Sequence, residues 1–213
     1  MRYKRATIVI VVLAAMSMAL AAEDAKTAFN WAFAKRAADG SAVSIDFNER
    51  VGIVKGDLFK IYISPLSCAF VYLFLHDEGG DLQLLFPDDF SLFAKASYLN
   101  SRYFIPEGDH WFALDDSPGT ERFYLIASAE RLNALESLVS SYASASPDKK
   151  GAARQAVLDE IARVRRQYNQ LTVTAEKPLT VAGGIRGINA NVEKLATRIE
   201  ADGFYYKVFR LEH

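Results

Sequence analysis

Cysteine is nearly absent from this chain of 213 residues, and its scarcity excludes a disulfide-stabilised fold. Cys68 is the only cysteine, so it has no partner within the chain, and the packing of a core has to hold the fold together. A free thiol at the start of an apolar stretch usually packs as a small hydrophobic group. A nucleophilic thiolate needs a partner base, and no base adjoins Cys68 in the sequence. We therefore expect Cys68 to be buried and chemically inert.

Neither sign of charge dominates, because 25 Lys and Arg residues face 26 Asp and Glu residues. Nucleic-acid binding relies on Lys and Arg to neutralise phosphates, so this balance argues against a nucleic-acid partner. Histidine is scarce too, at positions 76, 110 and 213. The sequence contains no P-loop, no Gly-x-Ser-x-Gly elbow and no His-Glu-x-x-His pair. We expect a protein that is not an enzyme and needs no cofactor.

The N-terminal segment has the features of a signal peptide. Three of the first five residues are positively charged, and the 15 residues from Ala6 to Leu20 are almost wholly apolar. This run is shorter than the roughly 20 residues that a membrane-spanning helix needs. Ala19 and Ala21 supply the small-x-small pattern of a cleavage site, so we predict that residues 1–21 are removed. The mature chain would be periplasmic or secreted, would contain no integral membrane segment, and would carry 22 positive against 26 negative charges; an uncleaved anchor is the alternative.

Most of the chain after the leader predicts short β-strands separated by turns. An N-terminal helix over Glu23–Ala38 comes first, because alanine and phenylalanine recur there at helical spacing and Gly40 follows. The predicted strands are Val43–Phe47, Leu58–Ile63, Ala69–His76, Asp81–Pro87, Arg102–Ile105, His110–Leu114 and Glu121–Ala127. The strand Ala69–His76 is apolar on both faces, which is typical of a central strand covered on both sides. The order of strands and turns favours an antiparallel β-sandwich.

The C-terminal third predicts helices followed by a returning strand. The first predicted helix has Ser128 as its N-cap and ends near Ser144, the second runs from Pro147 to Tyr168, and the third runs from Val192 through Ile199 to Gly203. Short strands are predicted at 172–174 and 179–181, and a last strand at Phe204–Leu211. The polar face of the second helix carries Arg154, Arg163, Arg165 and Arg166, which suits either a solvated face or an anionic partner.

Together these patterns predict one α+β unit. It is an antiparallel β-sandwich, Ig-like or jelly-roll-like, over residues 41–128. The N-terminal helix occupies residues 22–40, and a helical extension with returning strands occupies residues 129–213 and packs on the same domain.

Acidic and aromatic residues cluster in the predicted turns and form the candidate binding surface. Converging loop carboxylates can hold calcium, which takes six to eight oxygen ligands, but the spacing matches no EF-hand and solvated turn aspartates are common. No metal is therefore assigned. The candidate binding residues are Asp88, Asp89, Asp109, His110, Trp111, Asp115 and Asp116.

Several blocks of the sequence resemble a known bacterial family. The blocks are Gly56–Ile61, Phe70–Phe74, Leu84–Pro87, Ile105–Gly108 and Pro118–Glu121. In this order they resemble the domain of unknown function 4384 over roughly residues 50–130, and the tail Phe204–Leu211 resembles the segment after that domain in some exported relatives. The resemblance implies a compact β-rich accessory module. In other proteins similar modules accompany kinase or caspase-like peptidase domains, and the family has no established catalytic residues to transfer.

We therefore predict an exported, non-catalytic binding module whose partner is an unknown envelope or secreted protein. Two alternatives stay open: a metal-dependent hydrolase or carbohydrate-binding module that uses the acidic loops, and a structural envelope protein. The expected functional surface consists of the loops Pro87–Leu99, Pro106–His110 and Asp115–Thr120.

Overall fold

The computed structural model describes residues 26–45, 47, 56–113, 119–168, 174–179 and 188–212. These residues form eleven strands, three α-helices and a 3-10 turn at Phe90–Ala94. The strands are β1 (Lys26–Arg36), β2 (Ala42–Ser44), β3 (Leu58–Ser67), β4 (Phe70–His76), β5 (Leu82–Phe86), β6 (Tyr103–Ile105), β7 (Phe112–Ala113), β8 (Thr120–Ser128), β9 (Thr174–Pro178), β10 (Thr197–Asp202) and β11 (Phe204–Glu212). The helices are α1 (Asn133–Ala143), α2 (Pro147–Tyr168) and α3 (Ile188–Lys194).

Two antiparallel sheets make up the framework. The larger has the order β6-β3-β1-β10-β9, with β2 also paired to β1 and β7 to β3; the smaller has the order β11-β8-β4-β5. Aromatic side chains join the sheets across the core, with ring centroids 4.6 Å apart for Trp31 and Phe209 and 5.1 Å apart for Phe33 and Phe123. The predicted α+β class with an antiparallel sandwich is confirmed.

Strand β4 lies inside the smaller sheet and is covered on both faces, as its sequence predicts. Tyr72 points toward the helices, because its hydroxyl donates to Glu136 Oε1 of α1 at 2.8 Å. Leu73 has the opposite orientation by strand alternation, so it points into the core between the sheets. Both residues are almost completely buried. This strand is the centre of the hydrophobic core.

The predicted N-terminal helix is wrong, because Lys26–Arg36 is strand β1 and lies between β3 and β10. Alanine has the highest helix propensity, and that propensity suggested the helix. The aromatic residues Phe29, Trp31 and Phe33 instead alternate along a strand and enter the core. The small residues Ala32 and Ala34 lie on the other face, where they leave room for α3 to pack.

The third predicted helix is too long. Helix α3 ends at Lys194, and Ile199 lies in β10 opposite Phe29 of β1. Gly203, with φ of 75°, then forms the corner at which the chain passes from the larger sheet to the smaller one. Glycine adopts this left-handed conformation without steric cost, which explains its place at a sharp corner.

The expected burial of Cys68 is also wrong. Cys68 is exposed and has φ of 41°, at the corner where the chain leaves β3 and enters β4. Its carbonyl accepts a hydrogen bond from Thr27 Oγ1 at 3.1 Å. Strand β4 begins only at Phe70, two residues after Cys68, so Cys68 belongs to the corner and its side chain lies outside the core.

The predicted helices over α1 and α2 are confirmed, including Pro147 at the first position of α2. The predicted N-cap Ser128 is wrong, because Ser128 is the last residue of β8 and α1 begins at Asn133. Strand β9 lies between the two short strands predicted near it; residues 172–173 and 180–181 are outside the described residues. The predicted cleavage site at Ala19 and Ala21 is outside them as well. Within the described part of the chain, no helix has the length and apolar character needed to cross a bilayer.

Candidate functional site

A groove of about 540 Å³ runs along β6 at the edge of the larger sheet, and we call it the edge groove. It lies between the segment Pro87–Asn100 and the loop that follows β6, so two of the three loops expected from the sequence form its walls. Its lining residues are Phe86, Asp88, Leu92, Lys95, Ser97, Ser101, Arg102, Tyr103, Phe104, Ile105, Glu107 and Gly108.

Strand β6 is paired on one side only among the residues that the structure describes. Tyr103–Ile105 pairs with Ile61–Ile63 of β3, and no described strand lies on the opposite side. In an antiparallel strand, alternate residues direct their N–H and C=O groups away from the partner. The outer side of β6 therefore presents backbone hydrogen-bonding groups toward the edge groove, where an extended chain can pair with them.

Aromatic rings give the edge groove a rigid wall. The rings of Phe86 and Tyr103 are 4.9 Å apart, so the end of β5 in the smaller sheet contacts β6 in the larger one. The buried Tyr98 hydroxyl donates to Ala69 O at 2.9 Å and accepts from Val71 N at 3.0 Å. Burial raises the pKa of Tyr98, so this hydroxyl stays neutral and keeps both hydrogen bonds. The segment that forms one wall is thereby fixed to β4.

Charges of both signs surround the apolar part of the edge groove. Lys95 and Arg102 are positive, and Asp88 and Glu107 are negative. Arg102 is held by Glu193 of α3, with 3.2 Å between Nε and Oε1, yet its side chain is 61% exposed. A mixed rim of this kind suits a polypeptide with charges of both signs better than a polyanion or a polycation.

A buried lysine supports the end of the edge groove. Lys60 is fully buried, donates to Gly108 O and to Asn189 Oδ1 at 3.0 Å, and lies 5.7 Å from the ring centre of Trp111. Burial lowers the pKa of Lys60, and the charge of Asp109 partly opposes this effect. The sequence places Lys60 on the polar face of its strand, but α3 covers that face. Lys60 therefore holds the loop 106–111 against the sheet.

The other predicted binding residues are divided between the edge groove and its surroundings. Asp88 lines the groove, whereas Asp89 caps the 3-10 turn by accepting from Ser91 N at 2.5 Å, a bond that lowers its pKa. Asp109 and His110 are exposed on the loop after β6.

Trp111, a candidate binding residue, is half-buried, and its Nε1 is buried with no hydrogen-bond partner among the described residues. Asp115 and Asp116 lie outside the described residues. In the part of the chain that the structure describes, no three His, Cys, Asp or Glu residues are placed to share a metal ion.

Comparison with known families adds one match. Residues 53–131 match the model of the family described as Domain of unknown function (DUF4384). This segment is a DUF4384 domain. The resemblance seen in the sequence is thereby confirmed, and every lining residue of the edge groove lies within the DUF4384 segment. Neither the curated proteins nor the solved structures match the chain.

Proposed function

We propose that this chain is an exported, non-catalytic accessory module that binds another protein of the cell envelope through the edge groove. The observation that carries the proposal is the outer side of β6, with which no strand of the described residues pairs and which lies along a groove of peptide-binding dimensions. A second protein would insert an extended segment beside Tyr103–Ile105 and add a strand to the larger sheet. Backbone hydrogen bonds supply affinity in such complexes, and side-chain pockets supply specificity.

The rigidity of the edge groove supports this mode of binding. Tyr98 fixes one wall through two buried hydrogen bonds, and Lys60 holds the loop at the end. A preformed groove loses little conformational entropy when a peptide binds, so more of the interaction energy appears as affinity. The exposed rim charges Lys95 and Glu107 would select the register and direction of the peptide.

Export is part of the proposal. The positive residues, the apolar run and the small residues Ala19 and Ala21 of segment 1–21 support cleavage and release to the periplasm or beyond. For the sandwich we infer an Ig-like or jelly-roll-like arrangement, supported by the passage of the chain between the sheets at Cys68 and Gly203. The structural and carbohydrate-binding alternatives predict no preference for an extended peptide.

A library of displayed random peptides, selected against residues 22–213, tests the binding mode. We expect selected peptides to slow the exchange of backbone amide hydrogens in β6. Leu92→Asp and Lys95→Glu in the edge groove should weaken binding at least tenfold, about 1.4 kcal/mol. Leu99→Asp is the control for the first variant, since Leu99 is 42% exposed on the same segment but does not line the groove. Lys149→Glu, on the exposed surface of α2, is the control for the second.

Two results would contradict the proposal. One is failure to select any peptide; the other is selection of peptides that bind all four variants equally and leave exchange in β6 unchanged. A glycan array with hits that Leu92→Asp abolishes would instead favour the carbohydrate-binding alternative. Thermal unfolding of each variant shows whether it keeps the fold, so loss of binding is interpreted only for folded variants.

A further inference from the structure

A second concave surface, of about 590 Å³, lies between α2 and the strands β8 and β11 of the smaller sheet. We call it the cationic cleft. Among the residues that the structure describes, four that line the cleft are positively charged and none is negatively charged. The lining residues are Arg122, Tyr124, Arg165, Tyr206, Lys207, Val208 and Arg210.

The strand register brings like charges together in this cleft. Arg122 of β8 lies directly opposite Arg210 of β11. Like charges at directly opposite positions of an antiparallel pair destabilise it. The arrangement therefore lowers the stability of the unliganded protein, and an anion placed between the two guanidinium groups would remove that cost.

Cations close to the cleft have acidic partners. Arg163 on α2, which does not line the cleft, pairs with Glu160 at 2.7 Å, and Lys207, one of the four lining cations, pairs with Glu176 at 3.2 Å. Among the residues that the structure describes, by contrast, no carboxylate forms a salt bridge with Arg122, Arg165 or Arg210. Consistent with an uncompensated charge, Arg122 lowers the pKa of His76 further, after burial as the main cause.

Tyr206 forms part of the cleft wall and orients one of its arginines. The guanidinium of Arg165 lies 5.4 Å from the ring centre of Tyr206, within the range of a cation–π contact. Burial raises the pKa of Tyr206, so its hydroxyl stays protonated and is able to donate to a bound oxygen. Arg165 is thereby held over the cleft even though it lies on the exposed side of α2.

We propose that the cationic cleft binds a phosphate group. Guanidinium groups present paired N–H donors that match the oxygens of phosphate, and three such groups supply donors on several sides of one ion. The volume of the cleft falls within the range of roughly 300–1,000 Å³ that is usual for small-molecule sites. A free phosphate compound and a phospholipid headgroup share this chemistry. The site is independent of the edge groove, because the two have no lining residue in common.

Titration calorimetry with inorganic pyrophosphate tests binding of a soluble phosphate compound. Sedimentation with phosphatidylglycerol vesicles tests binding of a phospholipid headgroup. Phosphatidylcholine vesicles are the control for nonspecific adsorption. We expect Arg122→Gln and Arg210→Gln to weaken binding at least tenfold. Arg163→Gln should bind like the unchanged chain, because Arg163 is paired with Glu160 outside the cleft.

Each outcome bears on the proposal. If the unchanged chain binds pyrophosphate and the two cleft variants do not, the proposal is supported with a soluble phosphate compound as ligand. If the unchanged chain binds only the anionic vesicles and the same variants do not, the proposal is supported with a phospholipid headgroup as ligand. The proposal is overturned if the unchanged chain binds neither probe, or if the cleft variants bind as well as Arg163→Gln. Because Arg122 and Arg210 repel each other, both cleft variants should unfold at a temperature no lower than that of the unchanged chain, so misfolding would not imitate loss of the site.

Discussion

The Tyr72 hydroxyl provides the sharpest test of how the helices attach to the sandwich. It is buried between β4 and α1, donates to Glu136 Oε1 at 2.8 Å, and accepts from Leu132 N at 3.0 Å. Leu132 stands immediately before α1 and makes no side-chain capping bond, so the hydroxyl satisfies a backbone N–H that the helix start leaves unpaired. The substitution Tyr72→Phe removes only this oxygen and keeps the ring in the core.

The expected loss of stability in Tyr72→Phe has two contributions. A buried, unsatisfied N–H at Leu132 costs about 1–3 kcal/mol. The carboxylate of Glu136 loses one donor but keeps Arg131, whose Nε lies 3.1 Å from Oε1, so this part falls near the lower end of the same range. We therefore expect Tyr72→Phe to lower the free energy of unfolding by about 3 kcal/mol. For a chain of this size that corresponds to a decrease in Tm of roughly 6–12 °C.

Urea titration with an unchanged m-value, together with calorimetry, measures this loss. Tyr124→Phe is the matched control, because Tyr124 lies on the same face of the neighbouring strand and its hydroxyl has no hydrogen bond to a described residue. The control should stay within about 0.5 kcal/mol of the unchanged chain. If Tyr72→Phe also stays within that range, or if both variants lose the same amount, the assignment of a capping role to the Tyr72 hydroxyl is wrong.

Further predictions concern pH, backbone conformation and the groove wall. Burial, and to a smaller extent neighbouring arginines, lowers the pKa of His76 below its ordinary 6.5, so the free energy of unfolding should decrease as pH falls below about 6.5. His76→Gln should reduce that decrease in urea midpoints measured from pH 8 to 5. Gly151 lies inside α2 with no atom within 4 Å of a new Cβ, so Gly151→Ala should raise the free energy of unfolding by about 0.5–1 kcal/mol. Gly203 has a φ of 75°, so Gly203→Ala should lower the free energy of unfolding by about 1 kcal/mol in the same titration. Tyr98→Phe should accelerate amide hydrogen exchange at Val71, because it removes the acceptor of that N–H; unchanged exchange would contradict the anchoring role.

The sequence predicts the centre of the smaller sheet well because local pattern and tertiary environment agree there. The apolar alternation of Phe70–His76 on both faces requires cover on both sides, and the helices and the larger sheet supply it. At Lys26–Arg36 the helix propensity of the residues and their tertiary environment favour different structures. Helix propensity favours the alanines, but burial of Phe29, Trp31 and Phe33 on one face is worth more, at roughly 1.5–3 kcal/mol for each large side chain. The alternation of these aromatic residues is the signal that distinguishes the strand from a helix.

The edge groove and the cationic cleft depend on the order of the strands in the sheets, and the local sequence pattern does not predict that order. The loops around the edge groove are recognisable as turns, but the sequence does not reveal that β6 ends up at a sheet edge. The cationic cleft is harder still to predict from the sequence, because Arg122 and Arg210 are far apart along the chain and meet only through the pairing of β8 and β11. The arginines of α2 suggested an anionic partner, and Arg165 alone among them lines the cleft.

The two sites differ in their relation to the DUF4384 segment, because the edge groove lies wholly within it and the cationic cleft crosses its boundary. All residues that line the edge groove lie between positions 53 and 131, so this groove is built from the matched segment itself. Of the residues that line the cationic cleft, only Arg122 and Tyr124 lie in that segment, and the others come from α2 and β11. The edge groove, proposed as the peptide-binding site, is therefore a feature of the matched segment. The proposed phosphate site requires the C-terminal extension, because its last strand supplies Arg210 opposite Arg122 and so creates the charge repulsion that a bound anion would relieve.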